Sequence, residues 1–257
     1  MSRSANHFNH ILRWENQVLW LSLAFHAGYL NAGGFLASHR FVSHMTGFGT
    51  SVGINLSLSE FAIASEMILA PISFICGAAF AGYLIDRSLE RGKEPKVLNG
   101  IICIIILNAF VFFGGINGFF GGFGEPLLLQ RDFFLMCILT FLCGLQNGLF
   151  VTVTSGQIRT THITGLTTDF GLNLVKIRAL HVKELKKNEK RKNRLRMKTI
   201  LSFSIGSLIS ALIFLKLEYW GFLISTLLSL VIFFYVKFVI MSPNFDISMT
   251  DSERVKG

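Results

Sequence analysis

The chain has 257 residues, with 24 Lys+Arg against 15 Asp+Glu and a formal net charge of +9. Hydrophobic residues make up 51% and charged residues 15%, where a soluble domain carries about a quarter charged. That balance argues against a soluble globular domain, intrinsic disorder and a DNA-binding domain, and points to a membrane protein.

A helix crossing hydrocarbon needs about 20 mainly apolar residues, because no water is available to satisfy its backbone. The first such stretch is 18–37, which carries His26 and Asn31. A weakly apolar stretch, 43–58, is ambiguous. Spans are then predicted at 67–85 and 97–120 and, after a Gly-rich link, at 133–151. A second ambiguous stretch, 161–177, precedes spans at 199–215 and 219–236. Trp14, Trp20, Tyr83, Tyr219 and Trp220 lie near segment ends, where amphipathic rings favour the headgroup zone. The N-terminal spacing of Phe8, Ile11 and Leu12 suggests a short interfacial helix. Cys76, Cys103, Cys137 and Cys143 all fall inside spans without a CxxC pair, so they read as small apolar residues, not as disulfide or zinc ligands.

The charge is local. Residues 178–198 hold ten Lys/Arg and two Glu, a net of +8. Residues 86–96 hold four Lys/Arg, whereas 59–66 hold none and 121–132 hold one. Cytoplasmic loops are enriched in Lys and Arg. Six spans place every basic loop and both termini inside. Eight would put one basic loop outside, and seven, with an outside N-terminus, also satisfy the charges.

The chain also matches itself. His44-Met-Thr-Gly-Phe-Gly-Thr-Ser-Val-Gly-Ile-Asn-Leu56 aligns with His162-Ile-Thr-Gly-Leu-Thr-Thr-Asp-Phe-Gly-Leu-Asn-Leu174, with seven of 13 positions identical. Gly28-Tyr-Leu-Asn31 matches Gly144-Leu-Gln-Asn147, and Phe74-Ile-Cys-Gly77 matches Phe203-Ser-Ile-Gly206. The offsets grow from 116 to 118 to 129, so the basic segment contains an 11-residue insertion in the second copy. An odd number of spans per copy places the copies in opposite orientation, which favours six spans. The expected fold is all-α: one polytopic helix bundle of two inverted three-span repeats, 16–120 and 132–241, with re-entrant or short motif helices. The basic insertion, 178–198, would lie in the cytosol. Inverted repeats recur in secondary transporters, with the substrate site at the repeat interface.

The combination GYLNAGGFL, SHMTG, GLQNG and RTTHITG closely resembles the DUF1275/YoaK family of integral membrane proteins, over most of the chain. The resemblance implies a membrane protein and leaves the substrate open. Asn31 stands here where members commonly show Asp, and Phe48 where they commonly show Asn.

Among the motif residues, Thr46 and Thr164 are expected to cap helix starts. Gly47 and Gly165 would admit a backbone or ligand closely, and the positive end of each half-helix would favour an anionic or polar group. His44, Thr46, Gly47, His162, Thr164 and Gly165 are therefore the candidate site walls, with Asn31 and Asn147 as polar contacts. Asp169 replaces Ser51 of the first copy and is the candidate ion-coupling acid. A wet position for it, paired with Lys176 or Arg159, is equally open. Asn55, Asn173 and Gln146 could bond substrate or join helices, and His26 reads as a satisfied interior residue. Gly28-x-x-x-Ala32, Gly77-x-x-x-Ala81, Gly144-x-x-x-Gly148 and Gly206-x-x-x-Ser210 read as helix-packing faces. The basic run is expected to follow the second motif helix along the inner membrane surface.

The expected function is secondary transport of a small polar or anionic solute, with proton coupling as an option. A non-transporting regulatory or assembly partner is the alternative. No catalytic motif is present, and no cofactor or metal is expected. Expected partners are membrane lipid and a small-molecule solute, without nucleic acid, and a homo-oligomer is left open. The expected location is the inner or plasma membrane, multi-pass.

Overall fold

The computed structural model describes residues 13–92, 95–125, 130–153 and 163–241. The expected helix around Phe8 and Leu12 lies outside them, as does His162. The described residues form α1 (Trp14–Ser38), α2 (Met45–Ser57), α3 (Phe61–Glu90), α4 (Val97–Ile116), α5 (Gln130–Val153), α6 (Ile163–Ala179), α7 (Lys183–Leu217) and α8 (Gly221–Tyr235). A 3₁₀ turn, Glu218–Trp220, joins α7 to α8, and a π turn, Val236–Ile240, ends the last helix. The protein is an all-helical membrane bundle.

Four stretches among the described residues are long and apolar enough to cross a membrane: Phe61–Ser88, Val97–Ile116, Phe133–Val151 and Lys183–Ile240. The last contains both α7 and α8. Helix α1 is not among them, and packing supplies the reason. It runs between α5, α7 and α8, so Leu19, Leu23, His26, Tyr29 and Asn31 are all buried by protein. A helix shielded from lipid on most sides can carry polar residues, provided they find partners.

Side-chain pairs fix the helix directions. On α1 and α7, Leu21 meets Ser202, Gly28 meets Ser207 and Tyr29 meets Ser210, so the two run parallel. On α3 and α5, Phe74 lies against Gly144 and Ala81 against Gly148, again parallel. Contacts from α1 to α5 (Trp20 with Phe150, His26 with Gln146) run opposite, as do those from α1 to α8 (Glu15 with Tyr235, Tyr29 with Gly221). Asn108 with Ser229 and Phe112 with Trp220 make α4 antiparallel to α8. Helices α1, α4 and α7 thus point one way, and α3, α5 and α8 the other.

The two ambiguous stretches become the motif helices α2 and α6. Helix α2 has 13 residues, about 20 Å, too short for a layer of about 30 Å. Both ends of α2 lie on the side where α1 stops and α3 starts.

The basic segment departs from expectation. The chain turns at 180–182, and nine of the ten cations belong to the first half of α7, a single 35-residue helix that runs on into its apolar half, while Arg178 ends α6. Lys, Glu, Arg, Leu and Met are all good helix formers, and from Lys183 to Ile205 neither Gly nor Pro interrupts them. The run therefore continues the axis of a membrane helix instead of lying across the surface.

Candidate solute site at the centre of the bundle

Lys198 and Lys216 bracket the apolar part of α7, a rise of about 27 Å that matches the hydrocarbon thickness of about 30 Å. Halfway between them lies Ser207, bonded to the Gly28 carbonyl. His26 on α1 therefore stands near the middle of the layer.

Around it the sequence places polar side chains from three other helices. His26 Nδ1 lies 2.8 Å from Gln146 Oε1 of α5. The Gln146 amide is oriented by its own Nε2, which donates to the Leu23 carbonyl at 3.0 Å. With the oxygen turned to the ring, Nδ1 carries the proton and Nε2 accepts. On the Nε2 side lie Ser225 Oγ at 3.1 Å and Ser229 Oγ at 3.0 Å, one turn apart on α8. Ser225 Oγ also donates to Asn108 Oδ1 of α4 at 3.1 Å, and Asn108 Nδ2 donates to Ser229 Oγ at 3.4 Å. His26, Asn108, Gln146, Ser225 and Ser229 are all buried. Unsatisfied polar groups in hydrocarbon cost several kcal/mol each, so the reciprocal bonding is what lets five of them sit there.

Of these five, the sequence reading singled out Gln146 and His26 and passed over Asn108, Ser225 and Ser229. The available signal was Asn108 at the centre of an apolar span, away from Asn99 and Asn117 at its ends, and two serines at i and i+4 in another.

Above this cluster, aromatic rings close the bundle. Tyr29 donates to the Gly221 carbonyl at 3.0 Å and packs on Phe214. Phe214, Phe222, Tyr219, Phe120 and Phe123 continue as a contiguous group. Below it, Trp20 meets Phe150 edge-on.

Helix α2 reaches down from the aromatic-capped end. Asn31 Oδ1 accepts from Ser43 N at 3.2 Å and Ser43 Oγ at 2.9 Å, and Val42 packs on Gly34. After α1 ends at Ser38, the chain thus doubles back by about 10 Å along it before α2 rises again. Asn31 is the anchor of that re-entry, and Asn147 is buried on α5 at the matching sequence position. The expected caps are corrected here: His44 is the residue preceding α2, with no side-chain cap bond. Thr46 and Thr164 instead lie within the first turns, their carbonyls accepting from Thr50 and Thr168 hydroxyls. His44, Thr46 and Gly47 are exposed, as are Thr164 and Gly165. No atom lies within 4 Å of where a Cβ on Gly47 or Gly165 would stand.

Helix α6 lies at the other end of the bundle. Its Asp169 is 58% exposed and faces Arg196 of α7 at 3.7 Å. Arg196 lies two residues before Lys198, so Asp169 stands near the aqueous boundary. Lys176 pairs instead with Glu189 at 3.2 Å, and Arg159 lies outside the described residues. The structure therefore sets the His44 group and the Thr164 group at opposite ends, with the His26 cluster between them. Among the described residues, no three His, Cys, Asp or Glu side chains converge as metal ligands.

The matched sequence segments meet crosswise. A Cβ on Gly28 would fall on the Phe203 carbonyl oxygen, and one on Gly206 on that of Phe25. In the same way Gly77 faces the Phe141 carbonyl and Gly144 that of Phe74. Each of the two pairs, α1 with α7 and α3 with α5, is thus held by two reciprocal glycine-to-backbone contacts.

No curated protein matches this sequence, and no solved structure matches it. A family model described as Protein of unknown function (DUF1275) matches residues 19–235. That match covers the bundle from α1 to the end of α8, including the central polar cluster and both motif helices, and the chain belongs to the DUF1275 family.

Proposed function

We propose that the protein is a secondary transporter of a small polar or anionic solute, built as two inverted three-span repeats with six crossings. The observation that carries this reading is the cluster of five polar side chains at mid-depth, drawn from four helices and enclosed at both ends. Polar groups at that depth mark solute and ion pathways in membrane proteins. Alternating helix directions and crosswise glycine contacts support the inverted repeat. In this reading His26, Asn108, Gln146, Ser225 and Ser229 exchange their mutual bonds for bonds to solute. Asn31 with the His44 group, and Asn147 with the Thr164 group, guide it at the two ends. His162 is carried as the counterpart of His44 by sequence match alone. Asp169, on the α6 side, is the acid that would link a proton or cation to movement. The basic loops and both termini face the cytoplasm, as the charge rule requires.

Purified protein in liposomes, tested against a panel of polar and anionic solutes, should catalyse flux of at least one. Gln146→Leu and Ser225→Ala should each cut that flux by about tenfold, the effect of losing one good hydrogen bond to solute. Wild-type flux that both variants retain would overturn the central site. Absence of flux across the panel would favour the second reading, an assembly partner. One observation speaks for that alternative: Gly49 and Gly53, one turn apart, leave a face of α2 open to another helix.

A further inference from the structure

Six cations share one face of the protruding half of α7. Lys183, Lys186, Lys187, Lys190, Arg191 and Arg194 follow the i, i+3, i+4, i+7 spacing of a single helical stripe and line a groove of about 380 Å³. The acid nearest the middle of this segment does not serve them. Glu189 is turned to the α6 side, where it pairs with Lys176 and Lys192. None of the six has an ion-pair partner among the described residues. Like charges at i and i+4 repel, so the stripe as it stands opposes its own helix, and a bound polyanion would remove that opposition.

Lipid headgroups do not reach most of it. Helix α7 is held upright by its parallel contacts with α1, from Leu21–Ser202 to Tyr29–Ser210, and Lys198 marks the edge of the hydrocarbon. At 1.5 Å per residue, Arg194 stands about 6 Å beyond that edge, Lys187 about 16 Å and Lys183 about 22 Å. The headgroup layer accounts for roughly 5–7 Å, and surface potential decays over about 8 Å more. Lysines 183, 186 and 187 project past both.

We propose that this stripe is a binding site for a soluble anion carrying several phosphate groups. Such a ligand offers a row of charged acceptors that can span adjacent turns, and Lys and Arg supply charge-assisted donors to each. The stripe contains no aromatic side chain for stacking bases, which favours a phosphate chain over a single-stranded nucleic acid.

The test uses the full chain in nanodiscs, with inorganic tripolyphosphate titrated calorimetrically. Binding should be saturable in zwitterionic discs and should survive when anionic lipid is included. The triple variant K187Q/K190Q/R191Q should weaken it by about tenfold or more, K187R/K190R should retain it, and K192Q, on the opposite face of the same helix half, should leave it unchanged. Circular dichroism and size-exclusion profiles of the triple variant should match wild type. The proposal is overturned by lack of saturable binding or by equal weakening in K192Q. It is also overturned if anionic discs abolish tripolyphosphate binding, which would assign the stripe to lipid. An RNA oligonucleotide that displaces tripolyphosphate at far lower concentration would assign it to nucleic acid.

Discussion

Gly28, Gly77, Gly144 and Gly206 differ from Gly47 and Gly53 only in what stands opposite. The first four face a carbonyl of the neighbouring helix, and the other two face open space. A methyl added to the first group must push two helices apart, at a cost of about 1–3 kcal/mol each. A methyl on the second meets nothing and improves helix propensity by up to about 1 kcal/mol. Thermal unfolding in detergent should therefore show Gly28→Ala and Gly144→Ala melting several degrees lower, with Gly47→Ala and Gly53→Ala unchanged or higher. Equal effects in both groups would contradict the packing. The small-x-x-x-small spacing was legible in the sequence, but the partner of each glycine was not, because spacing names a face without naming the opposite helix. His26 follows the same pattern. Its interior position was legible, whereas its partners at 225 and 229 lie up to 203 residues away. His26→Leu leaves Gln146 Oε1 without its donor, which costs about 1–3 kcal/mol in a buried site. It should lower the melting temperature even if no solute is present.

The two motif hairpins occupy matching sequence positions and are held by different forces. Helix α2 is seated on an apolar cluster of Phe48, Met67, Ala70, Phe133 and Met136. At the offset of 129, Met67 and Ala70 become Arg196 and Thr199, and the α6–α7 seam is polar. There Asn173 donates to the Glu189 carbonyl at 3.2 Å, while the Glu189 side chain takes Lys176 and Lys192. Burial pushes the Glu189 carboxyl up, but hydrogen bonds and charge from the two lysines outweigh it and hold the group below its usual range. A depressed carboxyl adds stability above its unfolded value and loses it as pH falls through the folded one. Amide protection in α6, taken relative to the intrinsic exchange rate at each pH, should therefore fall on moving from neutral to acidic pH, and Glu189→Gln should remove most of that dependence. Exchange in α2 should not follow it. This asymmetry was hard to read in advance, since the ambiguous stretches look alike in hydropathy and differ in what their neighbours offer.

For the molecule as a whole, directions and charges agree. The basic ends of α3 and α7 and the start of α1 lie on one side, and α2 on the other. A membrane-impermeant thiol reagent should label Gly53→Cys and Lys187→Cys from opposite faces of sealed vesicles. Labelling of both from the same face would sink the six-crossing arrangement. Most of this was legible, because apolar runs of about 20 residues and the Lys/Arg imbalance are set by the lipid itself. What the sequence did not disclose is depth. The motif residues 44–47 and 164–169 were expected to form one site, and they stand on opposite sides of the mid-layer. The polar group at mid-depth comes instead from single residues scattered over α1, α4, α5 and α8.

The crosswise glycine contacts also bear on how the chain is made. Helix α1 closes on α7 and α3 on α5, so each half of the sequence carries surfaces that only the other half can cover. When residues up to 125 have emerged, α1 and α3 still display bare glycine grooves to lipid. Closure must wait for residues beyond 130. Two fragments divided between 125 and 130 and synthesised together should find one another and copurify, while either alone should be degraded. The two parts of the chain, on this view, are obligate halves.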